Sequence, residues 1–176
     1  MRELMDAATA NRTLERVASE VVEATGGAKD LAIVGIRRGG VDVADVLATH
    51  IGAETGGAVP TGAIDIALYR DDAATALPDP KIGPSSIPFE VRGRDVLIVD
   101  DVLQTGRTIR AAIECLLDYG RPRRIWLAVL LDRGGRELPI AADFVGETVD
   151  VPEGARVDVR LAEGADARGV FVGAPA

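Results

Sequence analysis

A chain of 176 residues with 47% hydrophobic content is long enough for one domain with a sizeable core. No run approaches the roughly 18 apolar residues of a membrane span, and the polar start of mixed charge over residues 1–11 gives no expectation of a signal peptide. The single cysteine, Cys115, excludes an internal disulfide and points to the cytoplasm, while a net charge of −8 argues against a nucleic-acid-binding class.

Residues 11–25 place Leu14, Val17, Ala18, Val21 and Val22 on one face and stop at Gly26-Gly27, which predicts an amphipathic helix with a glycine stop. The apolar run Leu31–Ile36 predicts a short strand. Arg37-Arg38-Gly39-Gly40 follows, and Val41, Ala44, Val46, Leu47 and Ile51 start a second helix. That basic, glycine-rich turn is either an ordinary tight connection or a loop whose amides meet anionic oxygens. His50, late on this helix, reads as a surface residue with no catalytic role. Residues 59–69 alternate, with Ile64, Ile66 and Leu68 against Asp65, Ala67 and Tyr69, the pattern of a strand. Residues 73–94 have little periodicity and hold Pro78, Pro80, Gly83, Pro84 and Pro88. A loop this long in a compact domain is uncommon and usually functional.

The next stretch organises the rest. Residues 96–99 are an unbroken apolar run, the pattern of a strand buried on both faces, and they lead into Asp100 and Asp101. Thr105-Gly106-Arg107-Thr108 then opens a segment with helical spacing at Ile109, Ala112, Ile113, Leu116 and Leu117. Gly106 lets the chain turn tightly, and the amides at the helix start are left to face an anion, which makes a phosphate cradle. Two carboxylates cannot bind that phosphate, so they must face sugar hydroxyls or a magnesium ion on the same ligand. A ribose carrying a 5-phosphate, two hydroxyls and a metal-bound diphosphate has all of these groups. The rival readings are a solvated loop start and a phospho-receiver domain. A receiver has its acidic pair after the first strand, near the N-terminus, and gives Thr-Gly-Arg-Thr no role.

Arg121-Pro122 breaks the helix, and residues 125–131 form another apolar strand. It runs into Asp132-Arg133-Gly134-Gly135-Arg136-Glu137-Leu138-Pro139, a loop expected at the carboxyl end of its strand and so beside the same crevice. Short strands are predicted at Phe144–Thr148, residues 156–161 and residues 170–172. Without repeat, low-complexity tract or linker, residues 1–176 read as a single domain with a flexible loop at about residues 70–94.

The central stretch resembles the phosphoribosyl-diphosphate (PRPP) motif of type I phosphoribosyltransferases, an apolar strand followed by acidic-acidic-x-x-x-Thr-Gly-x-Thr. Further segments match one branch: Val34-Gly35-Ile36, Ile64-Asp65-Ile66, Leu68-Tyr69-Arg70-Asp71-Asp72, Gly120-Arg121-Pro122 and Arg136-Glu137-Leu138-Pro139-Ile140. Over about residues 11–165 the chain resembles the pyrimidine-operon regulatory proteins, bifunctional proteins that also have uracil phosphoribosyltransferase activity. Three positions depart from the branch: Gln104 where an aromatic is usual, Gly135 where histidine is common, and Arg37-Arg38-Gly39-Gly40 where many members end in Thr-Arg-Gly.

The resemblance implies an α/β fold: a central, mostly parallel sheet flanked by helices, with a small hood and a flexible loop. It implies the reaction uracil plus PRPP to UMP plus diphosphate, with Mg2+ carried by PRPP and no directly assigned metal ligand. Asp100, Asp101 and Arg70 are then the catalytic candidates. Arg37, Arg38, Gly39, Val102, Leu103, Gln104, Thr105, Gly106, Arg107 and Thr108 bind PRPP or nucleotide, and Arg133 and Val157 are placed near the base. Residues 73–94 hold a mobile hood that closes over the diphosphate. The implied partners are a leader mRNA, bound by a basic face when UMP is present, and a second copy in a homodimer or larger homo-oligomer. Arg12, Arg16, Arg121, Arg123 and Arg124 are candidates for that face. The alternative is a phosphoribosyltransferase for a purine or orotate without an RNA role.

Overall fold

A computed structural model describes residues 1–71 and 85–175. In chain order the elements are β1 (Arg2–Asp6), α1 (Ala7–Ala24), β2 (Leu31–Ile36), α2 (Gly39–Thr55), β3 (Thr61–Ile64), a 3-10 turn (Ala67–Tyr69), β4 (Asp95–Leu103), α3 (Arg107–Leu117), β5 (Arg124–Asp132), β6 (Phe144–Thr148), β7 (Ala155–Arg160) and β8 (Gly169–Pro175). Five strands form one sheet in the order β3-β2-β4-β5-β6, and every pairing in it is parallel. This is the expected α/β architecture.

Parallel strands buried on both faces need apolar side chains in both directions, and β2 and the first five residues of β4 supply them almost without interruption. Leu31, Ile33, Leu97, Val99, Ala128 and Leu130 pack under α1 and α2. Val34, Ile36, Val96, Ile98, Leu127 and Val129 pack under α3. The chain places β3 on one side of β2 and then crosses back to place β4 on the other. The order therefore reverses between β2 and β4, and the crevice at their carboxyl ends is where such sheets bind ligands.

A second sheet is antiparallel, β1-β8-β7, and joins the two ends of the chain. Met5, Leu161 and Val170 tie it into the α1 side of the core. The start of the chain, polar and assigned no element from sequence, is an edge strand of this sheet, and α1 begins at Ala7 rather than residue 11. Asp6 caps the helix by accepting the Thr9 N–H at 2.7 Å. The alternating strand expected over residues 59–69 is also shorter, four residues from Thr61. Asp65 ends it: its carboxylate accepts the Ala67 N–H at 3.0 Å, and its own N–H donates to Ser85 Oγ at 2.9 Å. The free edge of β3 pairs instead with Ser86, through reciprocal Ala63 and Ser86 amide bonds of 2.8 and 2.7 Å. Of the loop expected to be mobile, residues 72–84 lie outside the described residues. Among the described residues no helix is long and apolar enough to cross a membrane.

Leu97 is fully buried between strands and helices, whereas Leu117 is half exposed. Leu97→Ala is expected to destabilise the fold by about 2–5 kcal/mol, and Leu117→Ala by no more than about 0.5 kcal/mol. Urea unfolding of the two variants checks the contrast.

Candidate active site

Two loops meet where the sheet order reverses. β4 does not stop at Val99 but continues through the acidic pair to Leu103. Across that pair the alternation of its side chains slips: Val99 and Val102 both pack on the α1–α2 side, Ile98 and Leu103 on the α3 side. Asp100 is buried and its carboxylate accepts the Asp101 N–H at 2.9 Å, while Asp101 accepts the Val102 N–H at 2.8 Å. Burial, then the neighbouring Asp101 charge, pushes the Asp100 carboxyl well above its ordinary range.

The Arg37–Gly40 turn lies directly on this pair. A Cβ on Gly39 would fall 2.0 Å from an Asp101 carboxylate oxygen, and one on Gly40 would fall 2.5 Å from the Val99 carbonyl. Only glycine allows that approach, which is why two of them stand here. The Arg37 N–H donates to the Ile64 carbonyl at 2.9 Å, which ties the turn to β3, and the Arg37–Arg38 peptide is cis.

Thr105 to Thr108 form the opposite wall. Gly106 has φ +90°, and a Cβ there would meet Ile140 at 3.0 Å. The turn delivers the chain into α3 with no side-chain cap from Gly106, and of the first amides the Arg107 N–H donates to Thr105 Oγ1 at 3.2 Å. A cavity of about 240 Å³ is lined by Asp100, Val102, Leu103, Gln104, Thr105, Gly106, Thr108, Ile109 and Arg133. A second, of about 340 Å³, lies across the same loop and is lined by Ile66, Arg70, Asp71, Thr105, Arg107 and Thr108. Thr105 and Thr108 are the shared wall. The Arg107 side chain is held by Glu137 at 3.2 Å and by Asp71.

The sequence-selected residues are therefore brought together with one exception. Val157 does not line either cavity; it is a half-buried β7 residue packed with the small sheet's apolar cluster. Arg133 lines the first cavity, and its guanidinium donates to the Ala155 carbonyl at 2.8 Å and the Pro152 carbonyl at 3.4 Å, which reaches the small sheet. What sequence reasoning missed is the support beneath the Thr105–Thr108 loop. Arg136 donates to Asp132, to the Gln104 carbonyl and to the Ile140 carbonyl. The signal was present in the Asp132 to Pro139 motif, but nothing in its spacing told which arginine faces the ligand and which the backbone. Of the arginines considered for an RNA face, Arg16 donates to Glu20 and to the Gly146 carbonyl, and Arg123 pairs with Asp95 at 2.8 Å. Arg124 stacks on Trp126, and Arg12 bonds Thr9 Oγ1 at 3.0 Å.

The phosphoribosyl transferase domain family matches residues 2–160. The bifunctional protein PyrR of Roseiflexus sp. (strain RS-1) is 48% identical over 174 residues, covering 97% of this chain and 94% of that protein. PyrR of Thermus aquaticus is 49% identical over 161 residues, covering 92% and 89%. The chain belongs to the PyrR family of phosphoribosyltransferases. Its fold is shared more widely: a ternary substrate complex of a mutant hypoxanthine phosphoribosyltransferase from Trypanosoma cruzi superposes with a TM-score of 0.76 at 20% identity, covering 99% of this chain and 96% of that one. Among the described residues no group of three His, Cys, Asp or Glu side chains makes a metal cage. The acidic pair in this PyrR-family site suits the hydroxyls of a ligand, or one face of an ion that the ligand brings.

Because the folded state disfavours charged Asp100, the stability this group contributes is fully present below its ordinary pKa of 3.8 and is lost as pH rises through the raised folded value. Asp100→Asn removes that loss. The variant is expected to gain stability relative to the parent as pH climbs from about 4 to 8. Thermal melting across that range checks it; a constant difference would contradict the burial argument.

Proposed function

We propose that the chain transfers the ribose 5-phosphate of PRPP to uracil, giving UMP and diphosphate, and acts in the cytoplasm as a UMP-responsive attenuator of pyrimidine biosynthesis genes. One observation supports the chemistry above all: the Thr105–Thr108 cradle and the buried Asp100 line one cavity, with the Gly39-Gly40 turn pressed against the same acidic pair. Membership of the PyrR family supports the choice of uracil over a purine or orotate.

In this reading the amides of Thr105 to Thr108 and the two threonine hydroxyls hold the 5-phosphate at the start of α3. Asp100 and Asp101 hold the ribose hydroxyls. Burial and the neighbouring carboxylate disfavour the charged form of Asp100, and the acidic pair favours the positive ribose as diphosphate departs. Arg70 and the amides of the Arg37–Gly40 turn receive the leaving diphosphate, which arrives with its magnesium as part of the substrate. Arg133 marks the base end of the cavity, with Val157 behind it in the small sheet. Positioning and fixed dipoles supply most of the acceleration.

Asp100→Asn with Asp101→Asn is expected to leave the protein folded and to lower nucleotide formation by about a hundredfold or more. A panel of bases with PRPP, read by product formation, tests both halves: uracil should be selected over purines and orotate, and near-normal turnover in the double variant would remove the catalytic assignment.

For the regulatory half, a chain of net charge −8 offers an RNA only scattered arginines. The binding face is then one assembled across a homodimer. Binding should fall steeply with salt, since each neutralised phosphate releases counterions. UMP should tighten it, because coupling between two sites is reciprocal. Titration of a pyrimidine-operon leader hairpin with and without UMP is the measurement; affinity no better than for an unrelated hairpin would leave an enzyme alone.

A further inference from the structure

We infer that Arg136 is the positioning residue that sets the phosphate cradle in its anion-binding conformation, an inference that rests on the PRPP reading of that loop. Three consecutive carbonyls of the cradle are turned toward the loop after β5. Leu103 accepts the Arg133 N–H at 3.0 Å, and Thr105 accepts the Glu137 and Leu138 N–H groups at 3.0 and 3.1 Å. Gln104, between them, accepts from Arg136 Nη1 at 2.9 Å. In a planar trans peptide the N–H points away from the preceding carbonyl. Fixing the carbonyls of residues 103–105 on one side therefore aims the N–H groups of Gln104, Thr105 and Gly106 to the other. Among the described residues, nothing accepts from the Thr105 or Gly106 N–H, and both residues line the cavity beside Asp100.

Among the described residues Arg136 is the one side chain that donates in this brace. The other donors are backbone amides, which a substitution leaves in place. Its guanidinium makes three bonds at once: Nη1 to Gln104, Nε to the Ile140 carbonyl at 2.8 Å, and Nη2 to Asp132 Oδ2 at 2.5 Å. The bond to Ile140 also fixes the residue that packs against Gly106 at the turn. Asp132 is itself anchored by the Gly134 N–H at 2.9 Å, and Arg136 holds its carboxyl below the usual range, so the anchor stays charged. Three acceptors in different directions suit a planar fork and not the single ammonium of lysine.

Losing this brace frees the Gln104 carbonyl and lets the cradle amides rotate, which weakens phosphate binding without touching the base end. Arg136→Gln is expected to raise KM for PRPP and to weaken ribose 5-phosphate binding by about tenfold or more, with KM for uracil changed less than about twofold. Arg136→Lys should be impaired like Arg136→Gln. Steady-state kinetics with each substrate varied, calorimetry with ribose 5-phosphate and a melting curve make the test. An unchanged KM for PRPP in folded Arg136→Gln overturns the brace. So does an equal rise in both KM values, which would mean general loosening, or full rescue by lysine. Parent protein that binds ribose 5-phosphate but forms no nucleotide with any base would instead defeat the proposed reaction, and the loss of binding in Arg136→Gln would still decide the brace.

Discussion

The start of α2 lies against the carboxyl end of β4 with no side chain of its own at Gly39 and Gly40, and the rest of the crevice follows from that contact. β2 and β4 are parallel neighbours, with Gly35 opposite Val99, so their following loops leave the same edge side by side. Parallel pairing alone would leave ordinary loops there. The glycines let one loop come within van der Waals range of the acidic pair on the other. Packing this close excludes water from Asp100, and burial in turn makes its charged form unfavourable. A backbone requirement thus becomes an electrostatic property two steps away.

An acidic protein that receives a polyanionic ligand must recruit it locally. The overall field of a chain with net charge −8 repels PRPP, but exposed charges are screened beyond about 10 Å at moderate salt. Inside the crevice the groups proposed to recruit it are fixed dipoles, the amides at the start of α3 and of the Gly39-Gly40 turn, which are not screened in the same way. Arg70 and Arg107 stand across the Thr105–Thr108 wall from Asp100, and each side holds both signs of charge, Asp71 beside those arginines and Arg133 beside Asp100.

The parts of the fold legible in the sequence were those whose burial leaves a local pattern. Strand β2 and strand β6 were placed with their observed bounds because each is a short apolar or alternating run between turn residues. The Thr105–Thr108 turn was legible because Gly106, with φ +90°, stands between the strand and the start of α3. Strand β1 was not, since its partner β8 comes from the opposite end of the chain and its own residues are mostly exposed. Residues 65–69 were read as strand because alternation alone cannot sense that Asp65 will bond its own backbone. The carboxyl end of the site was half legible: the Asp132 to Pro139 motif marked a loop, but the division of labour between Arg133 and Arg136 depends on carbonyls from three other segments.

That division explains how far the architecture spreads. Most of the groups proposed to hold phosphate are backbone amides, which substitutions other than proline leave in place, and a hypoxanthine enzyme with only 20% identity keeps the same fold with a TM-score of 0.76. Side chains enter where the backbone must be held in a conformation it would not keep alone, or where one ligand must be told from another. The first class is buried or braced from behind, as Asp132 and Arg136 are, and its geometry is set by several acceptors at once. The second class is proposed to stand at the rim, where Arg133 is tied to a small sheet whose strands come from both ends of the chain. A base-reading surface built there can change while the sheet, the acidic pair and the cradle stay fixed.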